Sequence, residues 1–159
     1  MHLARRSLLA VPALLTAKVA AVTAFWNVEG VALKRRGLAT HEFRVDQYGA
    51  PRYPELVLVV RHQDLLSDRS LVRDTLGALE DGTRDALRDR PAAVKAVATA
   101  AQAKPDLIAA ELDAIAPALS PPIKLNAKAL AGWASFGFRF GILAHVPLVR
   151  ETFDTSVAP

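Results

Sequence analysis

The sequence predicts an α/β fold with few strands and a helical C-terminal half. Residues 18–25 form a nearly continuous apolar run, residues 40–45 alternate polar and apolar, and residues 55–61 are rich in Val and Leu. Each of these patterns is typical of a strand. Beyond residue 67 the apolar residues recur at helical spacing. Two or three strands are too few for a complete doubly wound sheet, so the sequence predicts only part of such a fold.

Helices are predicted on both sides of the strands. Residues 8–17 leave almost no polar face, which favours a helix packed on the sheet over a free signal segment. Residues 27–36 read as a helix that ends at Gly37. Ser67 or Asp68 can cap a helix that runs to Arg88. Its charged residues, Arg73, Asp74, Glu80, Asp81, Arg84 and Asp85, are expected to face solvent.

The remaining helices are predicted from prolines and one cap. Pro91 and Pro105 suit the first turn of two helices, because a missing N–H costs little there. Asn126 caps a further helix, and Pro147 opens a short final one through Thr152. An aromatic stripe on the Asn126 helix is assigned to the core: Trp133, Phe136 and Phe140.

Composition excludes several functions. The chain has no Cys, which excludes disulfides, thiolate metal sites, a catalytic thiol and the acylated Cys of a lipoprotein. The net charge is +4, but the only basic cluster, residues 34–36, has no aromatic residues interleaved, so no nucleic acid partner is predicted. The four His residues lack metal-ligand spacing. No Gly-rich phosphate loop and no G-x-S-x-G elbow is present. We therefore expect no metal, no cofactor and no catalytic residue.

Four segments carry a resemblance to a known family. Residues 11–21 look like a helix that ends in Gly-Lys-Val-Asp-Ala before a strand, with Ala17 and Ala20 in place of the Gly and Asp. Residues 24–30 resemble an aromatic-Trp-Asn-x-Glu-Gly turn, and residues 43–58 resemble a crossing between two lobes. Residues 133–153 are similar to a terminal Trp-x₃-Phe-Gly helix followed by a short one. Together the segments resemble the C-terminal part of NMT1/THI5-like solute-binding proteins.

The resemblance implies a partial type II periplasmic-binding fold, in which each of two lobes is an α/β sheet. Residues 8–50 would be the remainder of lobe two, and residues 51–159 would be the return strand and the helices completing lobe one. Residues 1–7 would be an N-terminal extension. The implied protein is the extracytoplasmic solute-binding component of an ABC importer, which delivers its ligand to a permease. No convincing signal peptide or lipobox accompanies this implication.

Four residues are candidate ligand-binding residues: Trp26, Asn27, Glu29 and Tyr53. Trp26 can stack on a flat ring, Asn27 offers a donor and an acceptor, and Glu29 accepts hydrogen bonds from ring amino groups. Trp26 is equally compatible with a core position, Asn27 more readily caps a helix, and Tyr53 more readily packs a turn. If the resemblance holds, all four should share one rim of the interlobe cleft.

Three functions remain open at this stage. The first is binding of a small nutrient, either thiamin-pyrimidine-like or sulfonate-like. The second is a truncated family fragment without independent binding, because a half-cleft loses most of its enclosure. The third, an enzyme of thiamin-pyrimidine biosynthesis, is disfavoured because the similar enzymes depend on a cysteine-rich segment.

Overall fold

The predicted α/β fold is wrong. The computed structural model of the protein describes residues 11–119, 121 and 123–157, and within those ranges it contains helices and connections but no strand. Residues 18–25, 40–44 and 55–61 have no regular hydrogen-bonded structure, and residues 45–48 form a 3₁₀ turn. A strand requires backbone partners on a neighbouring strand, and these three segments do not pair with one another. The apolar patterns were real, but no sheet forms from them.

The helices follow in order along the chain. Residues 11–15 form α1, and a wide π-helical turn, Trp26–Gly30, leads directly into α2 (Val31–Arg35). Further along lie α3 (His62–Ser67), α4 (Arg69–Arg88), α5 (Arg90–Ala101) and α6 (Pro105–Ile115). The last two helices are α7 (Ala127–Arg139) and α8 (Val149–Thr152). Part of the predicted 8–17 helix and the whole 1–7 extension lie outside the described residues.

The predicted helix signals from Asp68 to Asn126 are confirmed. Asp68 Oδ1 accepts the N–H of Leu71 at 3.0 Å, and Asn126 Oδ1 accepts the N–H of Ala129 at 3.0 Å. Each bond satisfies a backbone donor that the first helical turn leaves free. Pro91 and Pro105 lie in the first turns of α5 and α6, as predicted. A further cap, Asp89, accepts the N–H of Ala92 at 3.0 Å.

Two helices in the N-terminal region end in the same turn with different residues. After α2, Gly37 has φ +69°. Its N–H donates to the Lys34 carbonyl, and the N–H of Leu38 donates to the Leu33 carbonyl. After α1, Ala17 has φ +53°. Its N–H donates to the Leu14 carbonyl, and the N–H of Lys18 donates to the Ala13 carbonyl. Both are Schellman turns, whose left-handed residue is usually Gly. Ala17 adopts this backbone at a steric cost that Gly37 avoids.

The chain divides into two units. Unit 1 comprises Met1–Glu42 and Asp89–Ala118, and in it α5 packs on α6, while α6 also packs on α2 and the π turn. Its buried apolar residues include Leu33, which is only 5% exposed, and Ile108. Ion pairs join Arg35 to Asp106 and Arg90 to Asp113. The predicted domain division at residue 50 concerns the lobes of the family fold and stays a prediction.

Unit 2 comprises Phe43–Arg88 and Leu119–Pro159. Here α3 packs on α4, and α8 packs on α7. The C-terminal segment is fixed by Arg69, which bonds to Asp154 at 3.1 Å and also to the Ser156 hydroxyl. The buried apolar residues in the described part of this unit are Val72, Leu130, Ala134 and Val157.

The expectation that Glu80 faces solvent is wrong. Glu80 is only 5% exposed. It lies four residues after Leu76 and eight residues after Val72, so all three lie on the same face of α4. Its carboxylate bonds to Arg84 on one oxygen and accepts the N–H of Ile123 on the other, at 3.1 Å. Burial is tolerated because both oxygens have partners.

Candidate functional site

The π turn places Trp26 on the surface of unit 1. The N–H groups of Val28 and Gly30 both bond to the Phe25 carbonyl, at 3.1 and 3.2 Å, which gives the turn its width. The Phe25 N–H donates to Glu29 Oε2 at 2.9 Å, so the Glu29 side chain closes the same turn. Trp26 is left 49% exposed. Trp26 is therefore a surface residue, and the alternative of a core position is wrong.

Asn27 does not cap the helix as predicted. The capping position belongs to Phe25, which has no side-chain capping bond, and Asn27 lies two residues inside the π turn. The chain continues from the π turn into α2 without a break, so the helical segment begins before Asn27. The half-buried Asn27 amide has no hydrogen-bond partner among the residues that the structure describes. Its donor and acceptor remain available to a ligand.

A second carboxylate, Glu111 on α6, lies near Glu29. The pKa of Glu111 is raised, first by partial burial and then by the negative charge of Glu29. Neither Glu29 nor Glu111 forms an ion pair within the described parts of the chain. This region of unit 1 therefore combines the exposed Trp26 with two acidic groups that form no ion pair within the described residues.

Glu111 was missed by sequence reasoning. It occupies an ordinary position on an amphipathic helix, and nothing local distinguishes it from the neighbouring Asp113, which pairs with Arg90 at 2.8 Å. Only the packing of α6 on the π turn brings Glu111 to Glu29. The signal is a tertiary one and is absent from the local sequence pattern.

Tyr53 lies in unit 2, within an array of aromatic rings. It stacks on Trp133 with ring centroids 3.9 Å apart and planes 13° from parallel. Trp133 stacks in turn on Phe136 at 5.2 Å, and Phe136 contacts Phe140 at 4.6 Å. Phe140 remains exposed, so the predicted core stripe is only partly covered. The predicted rim shared by Tyr53 with Trp26, Asn27 and Glu29 stays a prediction, because these residues belong to separate units.

Open apolar hollows occur in both units. In unit 1 a hollow of about 530 Å³ lies along α5 and the start of α6, and Lys95 is a charged residue in its lining. In unit 2 a hollow of about 340 Å³ is lined by Phe43, Val45, Tyr48, Ala50 and Phe136. Neither hollow includes the four predicted site residues. Specific small-molecule sites combine apolar walls with placed polar groups, and the second hollow has no charged lining residue.

The described residues contain neither a metal cluster nor a membrane-spanning helix. No group of three His, Asp or Glu side chains is arranged to hold a metal ion in the ranges that the structure covers. No helix in those same ranges is both long enough and apolar enough to cross a bilayer.

Comparison with protein families gives a positive result. Residues 7–94 match the model of the family described as NMT1/THI5 like. This family consists mostly of substrate-binding proteins related to transport. Because the match covers more than half of the chain, the protein belongs to the NMT1/THI5-like family, and the resemblance inferred from the sequence is confirmed at that level.

The matched region contains Trp26, Asn27, Glu29 and Tyr53, whereas Glu111 and the terminal Trp133 helix lie beyond it. The expected correspondence to the C-terminal part of the family fold stays a prediction. No curated protein and no solved structure matches the chain.

Proposed function

We propose that this protein is a solute-binding component of an ABC-type importer that binds a small, flat, amino-bearing nutrient outside the cytoplasm and passes it to a permease. Family membership supports the substrate-binding class. The observation that supports the ligand chemistry is that the half-exposed Trp26 and Glu29 belong to one π turn, with the carboxylate of Glu111 near that of Glu29.

This arrangement favours an aminopyrimidine-like ligand over a sulfonate. An indole face attracts flat rings and cationic groups, because the ring carries negative charge density above its plane. Carboxylates accept hydrogen bonds from ring amino groups but repel a sulfonate. The available Asn27 amide supplies one further donor and acceptor. A thiamin-pyrimidine precursor has the required flat ring and amino group.

Tyr53 is the fourth proposed contact. Its ring is already stacked on Trp133, so it would present its edge, its hydroxyl or its free face to a ligand. In the family arrangement it would lie on the same rim of the interlobe cleft as Trp26, Asn27 and Glu29.

The test is a binding titration with Trp26→Ala. We expect binding of an aminopyrimidine thiamin precursor to weaken by about 1–3 kcal/mol, roughly 5- to 150-fold, because stacking on an aromatic ring contributes that much. Stability should change little, since half of the ring is in solvent already. Calorimetry measures the affinity, and a thermal melt measures the stability.

Phe138→Ala is the matched control, because Phe138 is exposed to a similar extent but lies on α7 and is not one of the proposed contacts. It should leave affinity unchanged. An alkanesulfonate should bind more weakly than the aminopyrimidine. Equal affinity of wild type and Trp26→Ala would refute the site. Failure of the wild type to bind either ligand would refute the proposed function and favour a fragment that binds nothing alone.

A further inference from the structure

The segment Glu55–Arg61 of unit 2 has the composition of a buried strand but lies in solvent. Leu56 is 90% exposed and Val59 is 82% exposed, and the three apolar residues between and after them are exposed as well. No backbone N–H or C=O of residues 55–60 bonds to another described part of the chain. Such a segment offers both apolar side chains and a row of free backbone groups to a pairing strand.

The segment has defined ends. Pro54 precedes it and cannot donate to a ladder, while α3 begins at His62 and turns the backbone away. Seven residues remain, with a carboxylate at the first position and a guanidinium at the last. Both terminal side chains, Glu55 and Arg61, are exposed.

We propose that residues 55–61 pair antiparallel with the same segment of a second copy of this chain, about a two-fold axis at Leu58. In this register Glu55 of each copy lies opposite Arg61 of the other, so both ends of the ladder carry an opposite-charge pair. The interface is isologous and closed, because the same residues face each other twice.

The apolar residues match in the same register. Leu56 lies opposite Val60 of the second copy, Val57 lies opposite Val59, and Leu58 lies opposite itself. Since side chains alternate between the two faces, one face is formed by Leu and Val and the other by Val with the charged ends. Every cross-strand pair is therefore either apolar with apolar or acid with base.

Other pairings lose this match. A parallel in-register pair sets Glu55 against Glu55 and Arg61 against Arg61, and like charges directly opposite each other are destabilising. An antiparallel pair shifted by one or two residues moves both charged ends opposite Val or Leu, or beyond the ladder. The charge pattern thus selects one orientation and one register.

The contact is short, so the association is weak. Seven residues at about 3.4 Å per residue give a ladder of about 24 Å, which is small beside the interfaces of stable dimers. Sedimentation velocity should therefore show a monomer–dimer equilibrium over protein concentrations from about 10 μM to 1 mM.

Charge variants test the register. Glu55→Lys alone creates two like-charge pairs in the dimer, and so does Arg61→Glu alone. Each variant should dimerise at least about 5-fold more weakly than wild type. Mixing the two variants should restore dimerisation, because the introduced lysine of one chain then faces the introduced glutamate of the other, while the remaining Arg61 and Glu55 still face each other. Sedimentation of the mixture at equal concentrations measures this recovery.

Arg61 also bonds to Asp64, at 2.6 and 2.9 Å, within its own chain. Asp64→Asn is therefore the control: it breaks the local pair but leaves both ends of the ladder, and its dimerisation should equal that of wild type. Circular dichroism checks that all variants keep their helices. A wild type that stays monomeric to the highest concentration overturns the proposal. A Glu55→Lys variant that dimerises like wild type, or a mixture without recovery, overturns it as well.

Discussion

The two units accommodate carboxylates within their helical packing in opposite ways. In unit 2 the Glu80 carboxylate is balanced by Arg84 and accepts the Ile123 N–H, so both oxygens have partners. In unit 1 Glu29 accepts a single backbone N–H, and the pKa of the neighbouring Glu111 is raised by partial burial and then by the charge of Glu29. A satisfied carboxylate stabilises the fold that surrounds it. An unbalanced pair of carboxylates does not, because the two negative charges repel each other.

The largest effect should come from Glu80. Replacing it with Ala leaves the Ile123 N–H without its partner at a buried position, and it removes the ion pair with Arg84. We expect the free energy of unfolding to fall by about 1–3 kcal/mol. Urea denaturation followed by circular dichroism gives this number.

Two further variants sharpen the result. Glu80→Gln keeps an oxygen for the Ile123 N–H and should lose less than Glu80→Ala. Asp81 also contacts Arg84, at 3.4 Å, but it is exposed, so Asp81→Ala should change stability by less than about 0.5 kcal/mol. If Asp81→Ala lowers the free energy of unfolding as much as Glu80→Ala does, burial of the Glu80 carboxylate is not the cause of the loss.

Asp154 should give a smaller effect, because it is satisfied but accessible to solvent. Bonds from the Ser156 hydroxyl and backbone N–H, with the charge of Arg69, lower the pKa of Asp154 to about 2. A lowered carboxyl pKa stabilises the folded protein at pH values above the ordinary carboxyl pKa of 3.8. That stabilisation is lost as the pH falls toward 2.

Asp154→Asn tests this prediction. The variant should be less stable than wild type at neutral pH, and the two should converge as the pH falls from about 4 to 2. Thermal melts across that interval make the comparison. A constant difference at every pH would show that the Asp154 charge is not the cause.

Glu111 should give the smallest effect, with the opposite sign. Its raised pKa means that ionisation costs more in the folded than in the unfolded state, so stability is lost as the pH rises through the folded-state pKa. Glu111→Gln should therefore match wild type in acid and be slightly more stable at neutral pH, by less than about 0.5 kcal/mol.

Denaturation at acid and at neutral pH distinguishes an effect of the Glu111 charge, which depends on pH, from an effect of the substitution on packing, which does not. Asp113→Asn on the same helix is the control, because Asp113 pairs with Arg90 and its loss should not stabilise the protein. A Glu111→Gln variant less stable than wild type at neutral pH would show that the two carboxylates do not oppose each other.

Local signals in the sequence predicted the helices well. Asp68, Asn126, Pro91 and Gly37 act within one turn of themselves, so their effects can be read from neighbouring residues. The family resemblance set Ala17 at the end of a helix in place of a Gly, and Ala17 has a left-handed backbone, which Gly adopts more readily.

Non-local partners could not be predicted in the same way. Residues 55–61 have strand composition, but a strand also needs another strand beside it, and the pattern does not reveal whether one exists. Glu80 and Glu111 present the same difficulty on helices, because their roles depend on Ile123 and Glu29 far along the chain. Of the predicted site, the exposure of Trp26 could be tested, while the approach of Tyr53 depends on the arrangement of separate units.

The open backbone of residues 55–61 also makes this segment the natural point of cleavage by proteases. Proteases bind their substrates in extended form, and folded helices must unravel before they can be cut, whereas this segment offers exposed Leu and Val residues without prior unfolding. An elastase-like protease, which cleaves after small aliphatic residues, should therefore nick the chain here first. The four longest helices, α4 to α7, all lie on the C-terminal side of this segment, so a protein cut here could keep much of its helical signal.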